Sequence, residues 1–123
     1  MGLPLRASMI LAAAVVGASC AATRVPGPPV VTPAGVRFEF VDPEAGSVAV
    51  AGSFNQWSAT THPLSREPAD GTWSIVVALP SGEHRFMYVV DDTLWLTPPV
   101  AEDYVDDGFG ARNGVVVVRP NER

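Results

Sequence analysis

Apolar and polar residues alternate along most of the chain after residue 35. In Val36-Arg-Phe-Glu-Phe-Val41, Val36, Phe38 and Phe40 fall on one side and Arg37 and Glu39 on the other. Successive strand side chains point to opposite faces, so this period of two predicts a strand with one buried face. Ser47 to Gly52 repeats the pattern. Thr72 to Leu79 puts Trp73, Ile75, Val77 and Leu79 on one face. Glu83 to Val90 puts His84, Phe86, Tyr88 and Val90 on one face and Arg85, Met87 and Val89 on the other. The Pro80-Ser-Gly82 turn between these two runs predicts a hairpin. Pro63-Leu64 predicts a short edge strand, Thr93 to Leu96 another that Pro98-Pro99 stops, and Gly114 to Arg119 a closing strand. Turns fall at 42–46 and 66–71, a polar loop at 58–62 and a long acidic loop at 101–113. About seven short strands at this spacing, with no helical period, predict an all-β, immunoglobulin-like β-sandwich over residues 36–119, with 120–123 a tail.

The chain before residue 36 has a different texture. Arg6 precedes the apolar run Met9 to Val16, and small residues around Cys20 follow. Charged start, apolar centre and small-residue end are the plan of a secretory signal, here residues 1–20, and the run is shorter than the roughly 20 residues of a membrane span. Gly17-Ala-Ser-Cys20 resembles a bacterial lipobox, in which the cysteine is lipidated; Gly17 departs from it, since an apolar residue is usual there. Lipidation at Cys20, ordinary cleavage nearby and an uncleaved anchor stay open. Each puts the domain outside the cytoplasm, lipid-anchored at the cell envelope or secreted or periplasmic. Residues 21–35 contain Pro26, Pro28, Pro29 and Pro33 and predict an extended spacer, because proline fixes φ and lacks the amide hydrogen.

Charge and composition narrow the function. The 123-residue chain carries net charge −5, and its eight basic residues are all arginine. That balance excludes nucleic acid as an expected partner, since phosphate needs a basic patch. Cys20 is the single cysteine, so neither an internal disulfide nor a cysteine-based zinc site is expected. Glu102-Asp103 and Asp106-Asp107 lack the ordered ligand spacing of a calcium loop and read as a solvated turn. Catalysis is not expected: the carboxylates fall in turns and edges, and neither histidine has a neighbouring nucleophile. No cofactor is expected either.

The remaining candidate chemistry lies in Ala51-Gly-Ser-Phe-Asn-Gln-Trp57. Gly52 ends a strand where a side chain would obstruct the bend, Phe54 turns back to the core, Asn55 suits a tight turn, and Trp57 is left at the edge. A second tryptophan, Trp95, ends a later strand. Together they predict a flat apolar platform on which a sugar ring can stack. Trp73 lies on the apolar face of its strand and reads as core. His84 reads as buried and hydrogen-bonded, and His62 as a surface loop residue.

Taken together, Val50 to Trp57, Gly71-Thr-Trp73, Leu79 to Asp91, Trp95 with Pro98, and Gly108 to Asn113 resemble the family 48 carbohydrate-binding modules. That family includes the glycogen-binding domain of the AMP-activated protein kinase β subunit, and its members are also called early-set domains. The likeness covers about Val36 to Arg119. It implies a β-sandwich that binds α-1,4-glucans such as glycogen, starch or maltooligosaccharides. By position, the platform tryptophans fall on Trp57 and Trp95, and a sugar-binding asparagine on Asn113. Two departures follow. The polar residue two positions earlier is Ala111, and a lysine that bonds glucan hydroxyls is Met87, which cannot donate. Arg85, one step along the same face, is the candidate replacement.

The expectation is a non-catalytic module for α-glucan, with Trp57, Trp95, Asn113, Arg85 and Met87 at its site. The alternative is a protein-interaction domain that docks an envelope protein or a glucan-active enzyme on the same face. Met87 favours the alternative.

Overall fold

Among the described residues, 27–122 of the computed structural model, nine strands form two antiparallel sheets. The signal reading of 1–20, Cys20 and the spacer as far as residue 26 lie outside the described residues. In chain order the strands are β1 (Val30–Thr32), β2 (Gly35–Val41), β3 (Val48–Gly52), β4 (Ser65–Arg66), β5 (Thr72–Val77), β6 (Gly82–Val90), β7 (Leu94–Leu96), β8 (Asp103–Asp106) and β9 (Arg112–Val118). A 3-10 turn, Pro120–Glu122, follows. One sheet runs β1-β2-β5-β4; the other runs β3-β6-β9-β8, with β7 also on β6. Phe86 pairs with both Gly52 and Gly114, and Tyr88 with both Val50 and Leu96. So β7 and β9 share one edge of β6, end to end, and β3 takes the other.

The alternating pattern explains the core. Val36, Phe38, Phe40, Trp73 and Val77 enter it from the first sheet, and Val48, Val50, Phe86, Tyr88 and Val116 from the second. Phe38 meets Phe86 edge-on at 5.1 Å, and Phe40 meets Tyr88 at 4.9 Å. Each fully buried side chain of this size stabilises the fold by about 1.5–3 kcal/mol. Trp73 is core, as its pattern predicts, and its indole N–H donates to the Asp42 carbonyl at 2.9 Å. Phe54 does turn inward, stacking on Phe38 at 5.7 Å.

Several sequence expectations need correction. The hairpin across Pro80-Ser-Gly82 does not form, because β5 pairs with β2 and β4 while β6 lies in the other sheet. The apolar faces of the two strands look at each other across the core rather than lying side by side. The expected acidic loop at 101–113 contains β8, which pairs with β9 from Asp103 to Asp106. The stretch read as spacer contributes β1, and Gly35 already belongs to β2. Proline is tolerated next to an edge strand, and β1 is an edge. Pro63 makes only an isolated bridge to Ala49; the nearby short strand is β4, two residues on and in the other sheet. His84 is half-buried rather than buried, its Nε2 hydrogen-bonded to the Pro80 carbonyl oxygen at 2.8 Å.

Candidate functional site

The second face of β6 decides where a site can form. Phe86, Tyr88 and Val90 point into the core, so Arg85, Met87 and Val89 point outward. Register extends this outward face across the sheet. Val89 is flanked by Ala49 of β3 and Trp95 of β7. Met87 is flanked by Ala51, and Phe86 is paired with Gly114, which brings Asn113 level with Met87 on β9. Strands lie about 4.8 Å apart, so these groups fall within one ligand-sized area.

That area is a groove of about 640 Å³ lined by Ser53, Trp57, Arg85, Met87, Trp95, Asp106, Asp107, Phe109 and Asn113. All five residues singled out from the sequence, Trp57, Trp95, Arg85, Met87 and Asn113, line it. Met87 is 8% exposed and Asn113 6%, so they form a floor; Trp95, 40% exposed, forms a wall. Trp57 is half-buried against the cluster of Ala49, Ala51 and Val89, which leaves part of its indole to the groove. Arg85 is exposed and lines the groove together with Asp106 and Asp107.

Local chemistry explains why Trp57 is where it is. A Cβ at Gly52 would collide with the Arg85 carbonyl oxygen, so only glycine lets the chain bend there. The Gly52 carbonyl then accepts from both Asn55 N (3.1 Å) and Trp57 N (2.9 Å). Asn55 Oδ1 accepts from Gly52 N (3.0 Å) and Ser58 N (3.1 Å), while its amide nitrogen donates to the Val50 carbonyl (3.1 Å) and meets His62 Nδ1 (2.9 Å). One side chain therefore ties the two ends of the turn together. Gln56 and Trp57 both have φ of 58°, the left-handed region that bulky residues rarely adopt. His62, expected as a surface loop residue, is half-buried by these contacts.

Trp95 is delivered by the β6–β7 hairpin. Asp91 and Asp92 carry φ of 52° and 66°, and consecutive left-handed residues suit the twist of a tight hairpin. Asp91 Oδ1 accepts from Gly46 N (2.7 Å) and Ser47 N (3.2 Å), tying this hairpin to the β2–β3 loop. After β7 the chain is braced against β9 and β8: Thr97 Oγ1 donates to the Arg112 carbonyl (2.7 Å), and the Tyr104 hydroxyl to the Pro98 carbonyl (2.9 Å). The Arg112 guanidinium covers the Tyr104 ring at 4.6 Å.

Sequence reasoning missed Ser53, Asp106, Asp107 and Phe109. Ser53 continues the β3–β6 ladder, its N donating to the Arg85 carbonyl at 2.9 Å and its Oγ accepting from Arg85 N at 3.1 Å. Asp107 closes the β8–β9 turn, Oδ1 accepting from Phe109 N (2.6 Å) and Ala111 N (3.1 Å). The turn holds Phe109 92% exposed at the rim, between Gly108 and Gly110 with φ of 85° and 97°. The aspartate-glycine spacing there signalled a turn, but nothing in it signalled where the phenylalanine would point. Among the described residues no group of three His, Cys, Asp or Glu side chains is placed to hold a metal ion.

An aromatic groove that also carries donors and acceptors suits a ligand with an apolar face and hydroxyl edges. The model of the family described as the glycogen recognition site of AMP-activated protein kinase matches residues 35–123. Among curated proteins, the chain is similar to 1,4-alpha-glucan branching enzymes GlgB. That of Nitrosospira multiformis is 36% identical over 85 residues, 64% of this chain and 11% of the enzyme. That of Bacillus caldolyticus is 38% identical over 56 residues, 46% and 8% of the two chains. That of Ralstonia nicotianae is 38% identical over 64 residues, 48% and 8%. The chain thus spans about a tenth of the length of the curated relatives it matches.

Proposed function

Because the chain belongs to the family of the glycogen recognition site of AMP-activated protein kinase, we propose that its groove binds α-1,4-glucan and does no chemistry on it. The observation that carries this reading is the gathering of Trp57, Trp95, Arg85, Met87 and Asn113 along one groove. Trp57 and Trp95 stack the C–H faces of glucose rings. Each ring buries roughly 60–80 Å² of apolar surface, worth about 1.5–2 kcal/mol. Asn113 and Arg85 bond hydroxyls at about 1 kcal/mol each. The sum, about 5–6 kcal/mol, corresponds to dissociation constants from about 0.2 mM to tens of micromolar, the range of a docking module that works through avidity or tethering. Arg85 supplies the donor that Met87 lacks, and its planar fork suits two neighbouring hydroxyls. The leader reading of residues 1–20 makes this an exported module, lipid-anchored through Cys20 or released, with any membrane contact made through that anchor.

Pull-down on insoluble starch and glycogen tests the reading. Wild type is expected to bind, and Trp57→Ala to bind about tenfold or more weakly. The second reading, docking of an envelope protein or glucan-active enzyme, is favoured by the apolar Met87 floor and by Phe109 at the rim. Binding that survives Trp57→Ala, or no binding by the wild type, would support it instead.

A further inference from the structure

Trp57 owes its place to Asn55, and Asn55 is completed by His62. The orientation of the Asn55 amide is fixed, because its oxygen is taken by the two backbone donors Gly52 N and Ser58 N. Its nitrogen therefore faces His62 Nδ1, 2.9 Å away. An amide N–H needs a lone pair, so Nδ1 is unprotonated and the ring carries its proton on Nε2. The ring itself has little freedom. His62 O accepts from Val50 N at 3.1 Å, and the ring meets Phe54 edge-on at 5.7 Å. On its N-terminal side the loop is pinned by Ser58 Oγ, which accepts from Thr60 N (3.2 Å) and Thr61 N (3.1 Å).

We propose that His62 is a positioning residue for Trp57 and makes the groove's affinity for glucan depend on pH. Neutral, His62 completes the Asn55 network. Charged, it sets an N–H donor against an N–H donor at hydrogen-bonding distance. The turn then loses one of the four Asn55 interactions that hold its left-handed backbone at Gln56 and Trp57, and Trp57 spends less time in the position in which it can stack on sugar. The proposal rests on the α-glucan reading of the groove. His62 contacts Asn55, Phe54 and, from β3, Val50, and the next residue, Pro63, bridges Ala49; none of these is charged. The titratable group beyond Phe54 is His84, whose ring lies 6.3 Å from Phe54 and whose Nε2 is engaged with the Pro80 carbonyl oxygen. Among the described residues no carboxylate forms an ion pair with His62 that would hold its charged form in place.

The test is calorimetric binding of maltoheptaose to the full chain at about pH 7.5 and about pH 5, which brackets imidazole titration. Wild type is expected to bind about fivefold more weakly at the lower pH, the equivalent of one hydrogen bond. In His62→Gln the side-chain carbonyl accepts without titrating, so the ratio of the two affinities should approach one. His84→Gln should keep the wild-type ratio. Equal ratios in wild type and His62→Gln, or a wild type indifferent to pH, would overturn the proposal. Nitrogen-15 NMR of the sugar-free wild type reads the same device without ligand and without a variant that must fold. An unprotonated Nδ1 at about pH 7.5, and a Trp57 indole resonance that differs between the two pH values, are expected. A protonated Nδ1, or an indole resonance that stays fixed, rejects the proposal. Absence of maltoheptaose binding at both pH values would sink the α-glucan reading while leaving these NMR outcomes to decide the role of His62.

Discussion

Gln56 and Trp57 share a backbone conformation that costs an L-residue about 1–2 kcal/mol. For Trp57 the cost is tied to the groove; Gln56 is exposed and outside the groove lining. Gln56→Gly should therefore raise stability by about 0.5–1 kcal/mol in urea unfolding, glycine's own entropy offsetting part of the relief, with starch binding retained. A fall in stability would mean that the Gln56 side chain holds the turn. At this scale much of the site could be read in advance. Arg85 and Met87 announce an outward face by alternating with buried Phe86 and Tyr88, and Asn113 follows from its motif. Phe109 and Asp107 could not be read, because a turn has no period to say which way a side chain points.

Hairpin geometry governs Trp95 in the same way. Asp91 is left-handed and also accepts two backbone hydrogen bonds from the β2–β3 loop. Asp91→Ala should cost about 1–2 kcal/mol by chemical denaturation and weaken glucan binding, because the hairpin that carries Trp95 loses its anchor. Asp91→Asn, which keeps an acceptor and tolerates the left-handed region, should cost less than half of that. Equal losses in both variants would show that charge rather than hydrogen bonding matters. Strands were legible as elements, but their partners were not. An apolar face says that β5 and β6 are covered, and this is equally true of neighbours in one sheet and of opponents across a core. β8 escaped notice because Asp-Tyr-Val-Asp places aspartate at both ends of a short edge strand. Its exposed edge is kept from pairing in part by Asp103, whose carboxylate accepts from Tyr104 N at 2.8 Å.

Across the whole molecule, Tyr88 links the two sheets. It sits on β6, packs on Phe40 of β2, and its hydroxyl hydrogen-bonds the Glu39 backbone. Burial pushes that hydroxyl well above the ordinary tyrosine range, since an ionised phenolate would have to be desolvated. The fold thus favours the neutral form. Its contribution is fully present below the ordinary value of about 10 and is lost above it, where the unfolded chain ionises first. Stability should fall above pH ~10 with a Tyr88 share of up to about 1.4 kcal/mol per pH unit, and Tyr88→Phe should flatten that decline while costing about 1 kcal/mol at neutral pH. An unchanged alkaline slope in Tyr88→Phe would assign the decline to other groups. The sandwich also has two sides with different duties. Gly27 leads into β1 at the margin of the four-stranded sheet, whereas the groove opens on the outward surface of the other sheet, with the roughly 10 Å sheet-to-sheet spacing between them. A bead fastened at Gly27 would hold the domain by the sheet that does not carry the groove, leaving Trp57 and Trp95 to meet an insoluble granule.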